Sequence, residues 1–310
     1  MSTVTLKRTG DKIPKAATAN TIYTAIKLGY RLIDGACDYG NEIEAGQGVK
    51  RAIDEGIVKR EDIFITTKVW NTFHRHEHVK EAAKLQLEHW GLDYFDLYLV
   101  HFPISLKYVD PKVRYPPEWH ADEAKTICEL EDVPLQETWK AVEELVDEGL
   151  VRNVGISNIS GSLLVDVHTY ARYQPQVLQI EHHPYLTQEP LVKYAREILG
   201  MAMTAYSSFG PQSFYEIGWG KGATSLMQHE TITSIAQAHG KSQAQVLLRW
   251  STQRGIAVLP KSTTESMLNE NLQSTKFDLT ADELVTISGL NLNLRFNNPA
   301  AIDPRFAIFA

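Results

Sequence analysis

The chain has 310 residues, 43% hydrophobic and 22% charged, enough apolar material for one large domain or two ordinary ones. Its formal net charge of −7 is spread along the sequence without a basic stripe, which argues against a nucleic-acid-binding surface. No apolar run approaches the roughly 18 residues of a membrane span, the start MSTVTLKRTG lacks a signal-peptide apolar region, and two cysteines, Cys37 and Cys128, are too few for a disulfide framework. A cytoplasmic protein with reduced thiols is expected.

Residues 4–14, VTLKRTGDKIP, set β-prone residues around a Thr9-Gly10-Asp11 turn and read as a small hairpin. A helical pattern, KAATANTIYTAIKLG, follows directly. Strand-like runs then come at YRLIDGA (30–36), DIFITTKVW (62–70), FDLYLVHFP (95–103), RNVGISN (152–158), PQVLQIEHHP (175–184), MAMTAYSSFG (201–210) and GIAVLPKS (255–262). Amphipathic stretches lie among them at HVKEAAKLQLEHW (78–90), LQETWKAVEELVDEG (135–149), EPLVKYAREIL (189–199) and SQAQVLLRWSTQ (242–253). Alternating strands and helices with short connections predict a parallel sheet covered on both faces.

An open nucleotide-binding sheet would carry G-x-G-x-x-G after its first strand. The nearest match, Gly46-Gln47-Gly48, falls in a helix-like segment and has Arg51 at the third glycine, so a closed (β/α)8 barrel is preferred, as one domain over residues 1–310. A long loop at about 104–134 interrupts it, of the kind that is often functional. The strand count falls one short: seven core strands are found where a barrel needs eight. No apolar strand fits between Pro14 and the first helix, so the first barrel strand is missing.

Four polar residues, Asp34, Tyr39, Lys68 and His101, sit at or just past the ends of successive strand-like runs, where an α/β barrel builds its active site. Together they suit carbonyl reduction, which needs a proton donor and groups that stabilise a developing alkoxide. A tyrosine hydroxyl, with an ordinary pKa near ~10, is a weak acid. A neighbouring ammonium lowers that value, and a buried carboxylate keeps the ammonium charged. Tyr39 is thus the expected acid, Lys68 its modulator, Asp34 the partner of Lys68, and His101 a donor holding the carbonyl oxygen. No side chain supplies hydride, so a cofactor is required.

The blocks GYRLIDGACDYGNE (29–42), ITTKVW (65–70), LVHFP (99–103), GISN (155–158), LQIEHHPYL (178–186), TAYSSFGPQSF (204–214) and LPKS (259–262) together resemble the aldo-keto reductase family. Within it, EHHPYL, SSFGPQSF and LRFN (294–297) are most similar to fungal D-xylose reductases. The resemblance implies an (α/β)8-barrel oxidoreductase that reduces open-chain aldoses, D-xylose to xylitol foremost, with NADPH or also NADH. It gives the tetrad the roles derived above. It further implies that Ser157, Asn158 and Gln179 bind the nicotinamide carboxamide and that Tyr206 stacks on its ring. Ser207, Gln212, Ser213 and Glu216 would reach over the pyrophosphate and adenosine ribose, Lys261 and Ser262 would meet a 2′-phosphate, and Glu270 and Asn271 would lie near the adenine. Asp38, Trp70, Phe102 and Asn297 would line the substrate pocket. Relatives carry a strand with a pattern like VGFGLWK after the hairpin, and residues 14–18, PKAAT, match none of it. Met267 stands where relatives place an arginine for the 2′-phosphate, which relaxes a strict preference for NADPH.

The competing readings are a catalytically impaired relative that only binds cofactor, and a Schiff-base enzyme built on Lys68. No nucleic acid or membrane partner is expected, and the protein is read as a monomer or homodimer. His74, His76 and His78 read as surface histidines rather than a metal site, and His182 and His183 as structural, hydrogen-bonded residues.

Overall fold

The computed structural model describes residues 3–5, 12–122, 124–217, 220 and 222–310, with the side chains of 3–5, 12–17, 213, 216 and 217 outside that description. The predicted hairpin is present as β1 (Thr3–Thr5) paired antiparallel with β2 (Lys12–Pro14), in the register Val4 opposite Ile13. Its turn, Thr9-Gly10-Asp11, lies outside the described residues. Helix α1 (Lys15–Leu28) begins at the residue after β2, so no parallel strand intervenes. The chain packs as two units, one holding residues 12–177 and 299–310 and the other residues 178–298.

In the first unit, β3 (Leu32–Asp34) leads through a single 3-10 turn at Cys37–Tyr39 into α2 (Glu42–Asp54). There follow β4 (Phe64–Val69), α3 (His76–Trp90), β5 (Phe95–Val100), α4 (Leu135–Asp147), β6 (Val151–Ser157) and α5 (Gly161–Tyr170). β3, β4, β5 and β6 pair in that order, all parallel. β5 is buried at every residue, as a strand covered on both faces must be, and its sequence FDLYLV is accordingly an almost unbroken apolar run. Gly46 and Gly48 serve packing: a Cβ at Gly46 would lie 2.4 Å from the Trp90 carbonyl oxygen, and one at Gly48 2.5 Å from that of Ala19. The described residues of 104–134 form neither helix nor strand beyond one bridge between Leu106 and Leu130.

The second unit carries β7 (Val177–Glu181), α6 (Glu189–Lys193), β8 (Ala202–Tyr206), α7 (Glu230–His239), α8 (Gln243–Gln253), β9 (Ala257–Val258), α9 (Glu265–Leu272) and α10 (Ala281–Ser288). β9 pairs parallel to β8 but is only two residues long. The predicted helix over 189–199 is α6 for five residues and then a π-helical turn at Tyr194–Ile198. Its core gathers Trp250, Ile232, Val246, Leu247, Phe214 and Phe296. The described residues thus hold seven barrel-type strands, and β3 has a sheet partner on one side only.

Candidate active site

Three of the four tetrad residues come to hand through strand register. Asp34, the last residue of β3, stands opposite Thr66, and Lys68 lies two residues further along β4, on the same side of the strand. Lys68 is fully buried, and its ammonium donates to Asp34 Oδ1 at 2.6 Å and to the Gly35 carbonyl at 2.8 Å. A buried cation of this kind persists because it is both paired and hydrogen-bonded. Its Nζ lies 5.3 Å from the centre of the Tyr39 ring. His101 follows β5, 7% exposed, with its ring centre 6.3 Å from that of Tyr39.

The electrostatics favour a protonated tyrosine beside a neutral histidine. Tyr39 is 44% exposed as a residue, yet its hydroxyl end is enclosed. That burial, followed by the charges of Asp34 and Asp38, holds the phenol well above its ordinary value. The direction is opposite to the lowering expected from Lys68. Burial and the two carboxylates outweigh the nearby ammonium, which also holds Asp34 and Gly35. Burial first, and the Lys68 charge second, hold His101 well below the ordinary imidazole value. Its Nδ1 is buried without a hydrogen-bond partner among the described residues. The tautomer with its proton on Nε2 leaves no enclosed N–H unpaired and presents a neutral donor.

Aromatic rings wall this cluster. Trp70 meets His101 edge-on at 5.1 Å, Phe102 at 6.2 Å and Trp119 at 5.0 Å. Trp119 comes from the long loop, and Phe306 lies 5.5 Å from it. The Trp70 indole donates to the Glu118 carbonyl at 3.2 Å. The loop is further held by Arg305, which donates to the Cys128 carbonyl at 2.7 Å. Asp38 sits half-buried in the turn that carries Tyr39.

Behind the tetrad lies a polar hub that the sequence reading did not single out. Glu42, 2% exposed, accepts through Oε1 from Gln86 Nε2 at 2.9 Å, Thr67 Oγ1 at 3.3 Å and Trp90 Nε1 at 3.3 Å. Its Oε2 accepts from the Tyr115 hydroxyl and faces His89. Gln86 also donates to the Lys68 carbonyl at 3.1 Å and accepts from Tyr98 at 2.6 Å. The hub therefore ties the start of α2, three residues after Tyr39, to the strand that carries Lys68. The signal available in the sequence was a carboxylate on an apolar stripe, since Glu42, Ala45, Val49 and Ala52 share one helix face and are all buried.

The residues assigned to cofactor by resemblance fall in both units. Ser157 and Asn158, at the end of β6, are buried, and Asn158 Nδ2 donates to the His101 carbonyl and to Ser157 Oγ, each at 3.0 Å. These two join the tetrad in the first unit. In the second unit Gln179 is buried on β7, and Tyr206 ends β8 with its hydroxyl receiving Asn297 Nδ2 at 3.1 Å. Ser207 adopts a left-handed φ of 54°, and Gln212 accepts from Ser225 at 3.2 Å. Ser213 and Glu216 lie outside the described side chains. Lys261 is exposed and half-buried Ser262 precedes α9, with Lys261 in no ion pair among the described residues. Glu270 accepts from Ser242 at the start of α8, and Asn271 is buried in α9.

Two histidine readings need correction. His74 is 2% exposed, and burial holds its imidazole down at about 3, so only His76, beside Glu144, and His78, stacked on Tyr108, are nearer the surface. His183 bonds Glu181 at 2.8 Å as expected, but both ring nitrogens of His182 lack a hydrogen-bond partner among the described residues, the ring lying flat on Trp250 at 4.8 Å. Among the described residues no group of His, Cys, Asp and Glu could hold a metal ion, and Cys37 and Cys128 are free.

Parallel strands that deliver a tyrosine, a buried lysine–aspartate pair and a neutral histidine to their C-terminal ends define a barrel-type enzyme of carbonyl chemistry. The sequence profile described as "Aldo/keto reductase family" matches residues 3–292. The chain belongs to the aldo/keto reductase family, and the seven strands β3 to β9 among the described residues are consistent with that family's (β/α)8 barrel without its first strand. It is 59% identical over 300 residues to the probable NAD(P)H-dependent D-xylose reductase of Arthroderma otae, covering 96% of this chain and 91% of that one. It is also 59% identical over 290 residues to the protein so named from Emericella nidulans, covering 93% and 90%. Among solved structures, the aldose reductase of Schistosoma japonicum is 34% identical with a TM-score of 0.82, covering 98% of this chain and 97% of that one.

Proposed function

We propose that this protein is an NAD(P)H-dependent reductase of open-chain aldoses, converting D-xylose to xylitol in the cytoplasm as a single barrel domain. The observation that carries the reading is the buried Lys68–Asp34 pair at 2.6 Å beside Tyr39 and a neutral His101. Its close relatives are named for the same activity.

Tyr39, held protonated by burial, gives its proton to the carbonyl oxygen. His101 Nε2 orients that oxygen by a neutral hydrogen bond. Lys68 stabilises the phenolate that Tyr39 leaves behind, and Asp34 keeps Lys68 charged and aimed. Trp70 and Phe102 exclude water from the reacting carbonyl, while Asp38 and Asn297 take the sugar hydroxyls. Hydride is the one component no side chain provides, and a bound nicotinamide cofactor supplies it. The residues fit such a group: Ser208 Oγ, just after Tyr206 and Ser207, is buried without a hydrogen-bond partner among the described residues, and Lys261 has no carboxylate partner there. Ser157, Asn158, Gln179 and Tyr206 would hold the nicotinamide, and Ser207, Gln212, Ser213 and Glu216 the pyrophosphate and ribose. Lys261 and Ser262 would hold a 2′-phosphate, and Glu270 and Asn271 the adenine. With Met267 exposed on α9 in place of a cation, both NADPH and NADH serve.

We read the protein as a monomer or homodimer acting on small molecules, without nucleic-acid or membrane partners; separately, no helix among the described residues is long and apolar enough to cross a membrane. The single observation favouring a catalytically impaired relative is the absent first strand. The deciding assay follows NADPH or NADH oxidation on adding D-xylose. Turnover by the wild type and its near-complete loss in Tyr39→Phe are expected, whereas equal rates for the two proteins refute the mechanism.

A further inference from the structure

In the second unit, the carboxylate of Glu181 is fully buried and accepts three hydrogen bonds from groups far apart in the chain or fixed by packing. Oε1 receives the Phe296 amide at 2.8 Å and His183 Nε2 at 2.8 Å, and Oε2 receives the Asn297 amide at 2.8 Å. His183 lies 5.4 Å from the Phe296 ring, so the same group that bonds the carboxylate packs on the segment it holds. The segment is pinned again at Tyr185, whose carbonyl accepts from Leu292 and Leu294, and at Gln188, which accepts from Arg295 at 2.7 Å and donates to the Glu181 carbonyl at 2.7 Å. A fully buried carboxylate is costly unless it is multiply hydrogen-bonded, and here both oxygens are committed to backbone that ends at Asn297. The Asn297 side chain in turn donates to the Tyr206 hydroxyl at 3.1 Å.

We propose that Glu181 is a positioning residue for sugar recognition: by fixing the backbone of Phe296 and Asn297 it aims the Asn297 carboxamide at the hydroxyls of the substrate. The proposal rests on the aldose-reductase reading above. It distinguishes Glu181 from a merely structural buried acid, because the loss should fall on polyhydroxy substrates and spare simple aldehydes. Glu181→Gln is the sharp perturbation. A carboxamide has one oxygen, so whichever way it turns, its NH2 is set against a backbone N–H that needs an acceptor.

Two readouts decide the matter: hydrogen exchange of the 291–298 segment, and kcat and KM at saturating NADPH for D-xylose and for pentanal. In Glu181→Gln we expect exchange in 291–298 to rise about tenfold while the strands stay protected, the KM for xylose to rise about tenfold, and pentanal kinetics to stay within about twofold. Asn297→Ala should raise the xylose KM similarly, and the double variant should be no worse than Asn297→Ala alone. Equal losses on both aldehydes, or additive effects in the double variant, overturn the proposal. If Glu181→Gln does not fold, Glu181→Asp, one methylene too short to reach both amides, is held to the same outcomes. Wild-type protein that reduces pentanal but not xylose sinks the aldose reading; the exchange result in 291–298 then still decides whether Glu181 holds the segment. Unchanged exchange overturns the positioning role even if xylose is a good substrate.

Discussion

Replacing Glu42 by leucine should unfold the hub behind the tetrad without touching a residue that meets substrate. The change removes an acceptor from four donors. Gln86 keeps Thr67 Oγ1 at 3.1 Å and the Lys68 carbonyl at 3.1 Å, so its amide is not stranded. Trp90 Nε1 and the Thr67 hydroxyl have no other acceptor among the bonds described, whereas the Tyr115 hydroxyl keeps the Cys37 side chain as a partner, and each buried, unpaired donor costs about 1–3 kcal/mol. The sum is roughly 2–6 kcal/mol, a large fraction of the ~5–15 kcal/mol typical of a folded protein. Glu42→Gln should lose less, about 1–2 kcal/mol, because its oxygen can serve the Gln86 side while the Tyr115 hydroxyl rotates to accept from the new NH2. Urea unfolding followed by tryptophan fluorescence gives both values, and Trp90 itself, buried in the hub, reports on the change. Because Glu42 opens the helix directly after the Tyr39 turn, kcat on xylose should fall about tenfold in the leucine variant. A leucine variant within ~1 kcal/mol of wild type and with unchanged kcat would refute the reasoning.

Other substitutions probe separate parts of the site. Lys68→Met strips the cation from a buried pair and leaves the Asp34 carboxylate, so stability should drop by about 3–5 kcal/mol in urea titrations; a neutral outcome would mean that water reaches Asp34. His74 is held neutral down to about 3 by burial, so its folded-state pKa lies below its unfolded one. The stability this confers is complete above the unfolded value of ~6.5 and is lost as pH falls towards 3, by ~1.4 kcal/mol per pH unit. Buried His101 and His182 act in the same direction. Urea midpoints at pH 7, 6 and 5 should fall less steeply, by about one proton, in His74→Asn. Lys261→Ala should raise the dissociation constant for NADPH about tenfold and leave that for NADH nearly unchanged, as read by quenching of protein fluorescence; equal effects on both would place Lys261 away from the 2′-phosphate.

Strands such as FDLYLV were legible because burial on both faces writes itself into the sequence as an apolar run. β9 was legible only in place, since two residues leave no period to read. The π-helical turn after α6 escaped because EPLVKYAREIL keeps its helical spacing of apolar residues whichever hydrogen-bond partner each amide chooses. His74 was misplaced because its neighbours are polar, while its burial comes from packing that local sequence does not encode. The tetrad could be found because each member stands at the end of a strand-like run. Glu42 and Glu181 could not be valued, because their partners lie far along the chain: Gln86 is 44 residues from Glu42, Tyr115 is 73, and Phe296 is 115 from Glu181. Periodicity shows which face a carboxylate occupies, and only the folded chain shows which donors meet it there.

The absent first strand sharpens this point, because it removes the neighbour on the free side of β3 that would brace Asp34 and Tyr39. The bracing observed comes instead from the β4 side. The Gly35 amide donates to Thr66 at 2.8 Å and its carbonyl receives the Lys68 ammonium, so the residue after Asp34 is bonded to β4 through both its backbone groups. Gly35 also lies so close to the Trp90 indole that a Cβ there would stand 2.5 Å from it, which fixes the chain between Asp34 and Tyr39 against α3. Glu42 then holds the far end of the same turn through Gln86, Trp90 and Tyr115. Supplying a strand between Pro14 and Lys15 should therefore add stability through the open edge of β3 while changing kcat far less than Glu42→Leu does. A large gain in kcat from the added strand, with Glu42→Leu silent in that background, would show that the brace belongs to the missing side after all.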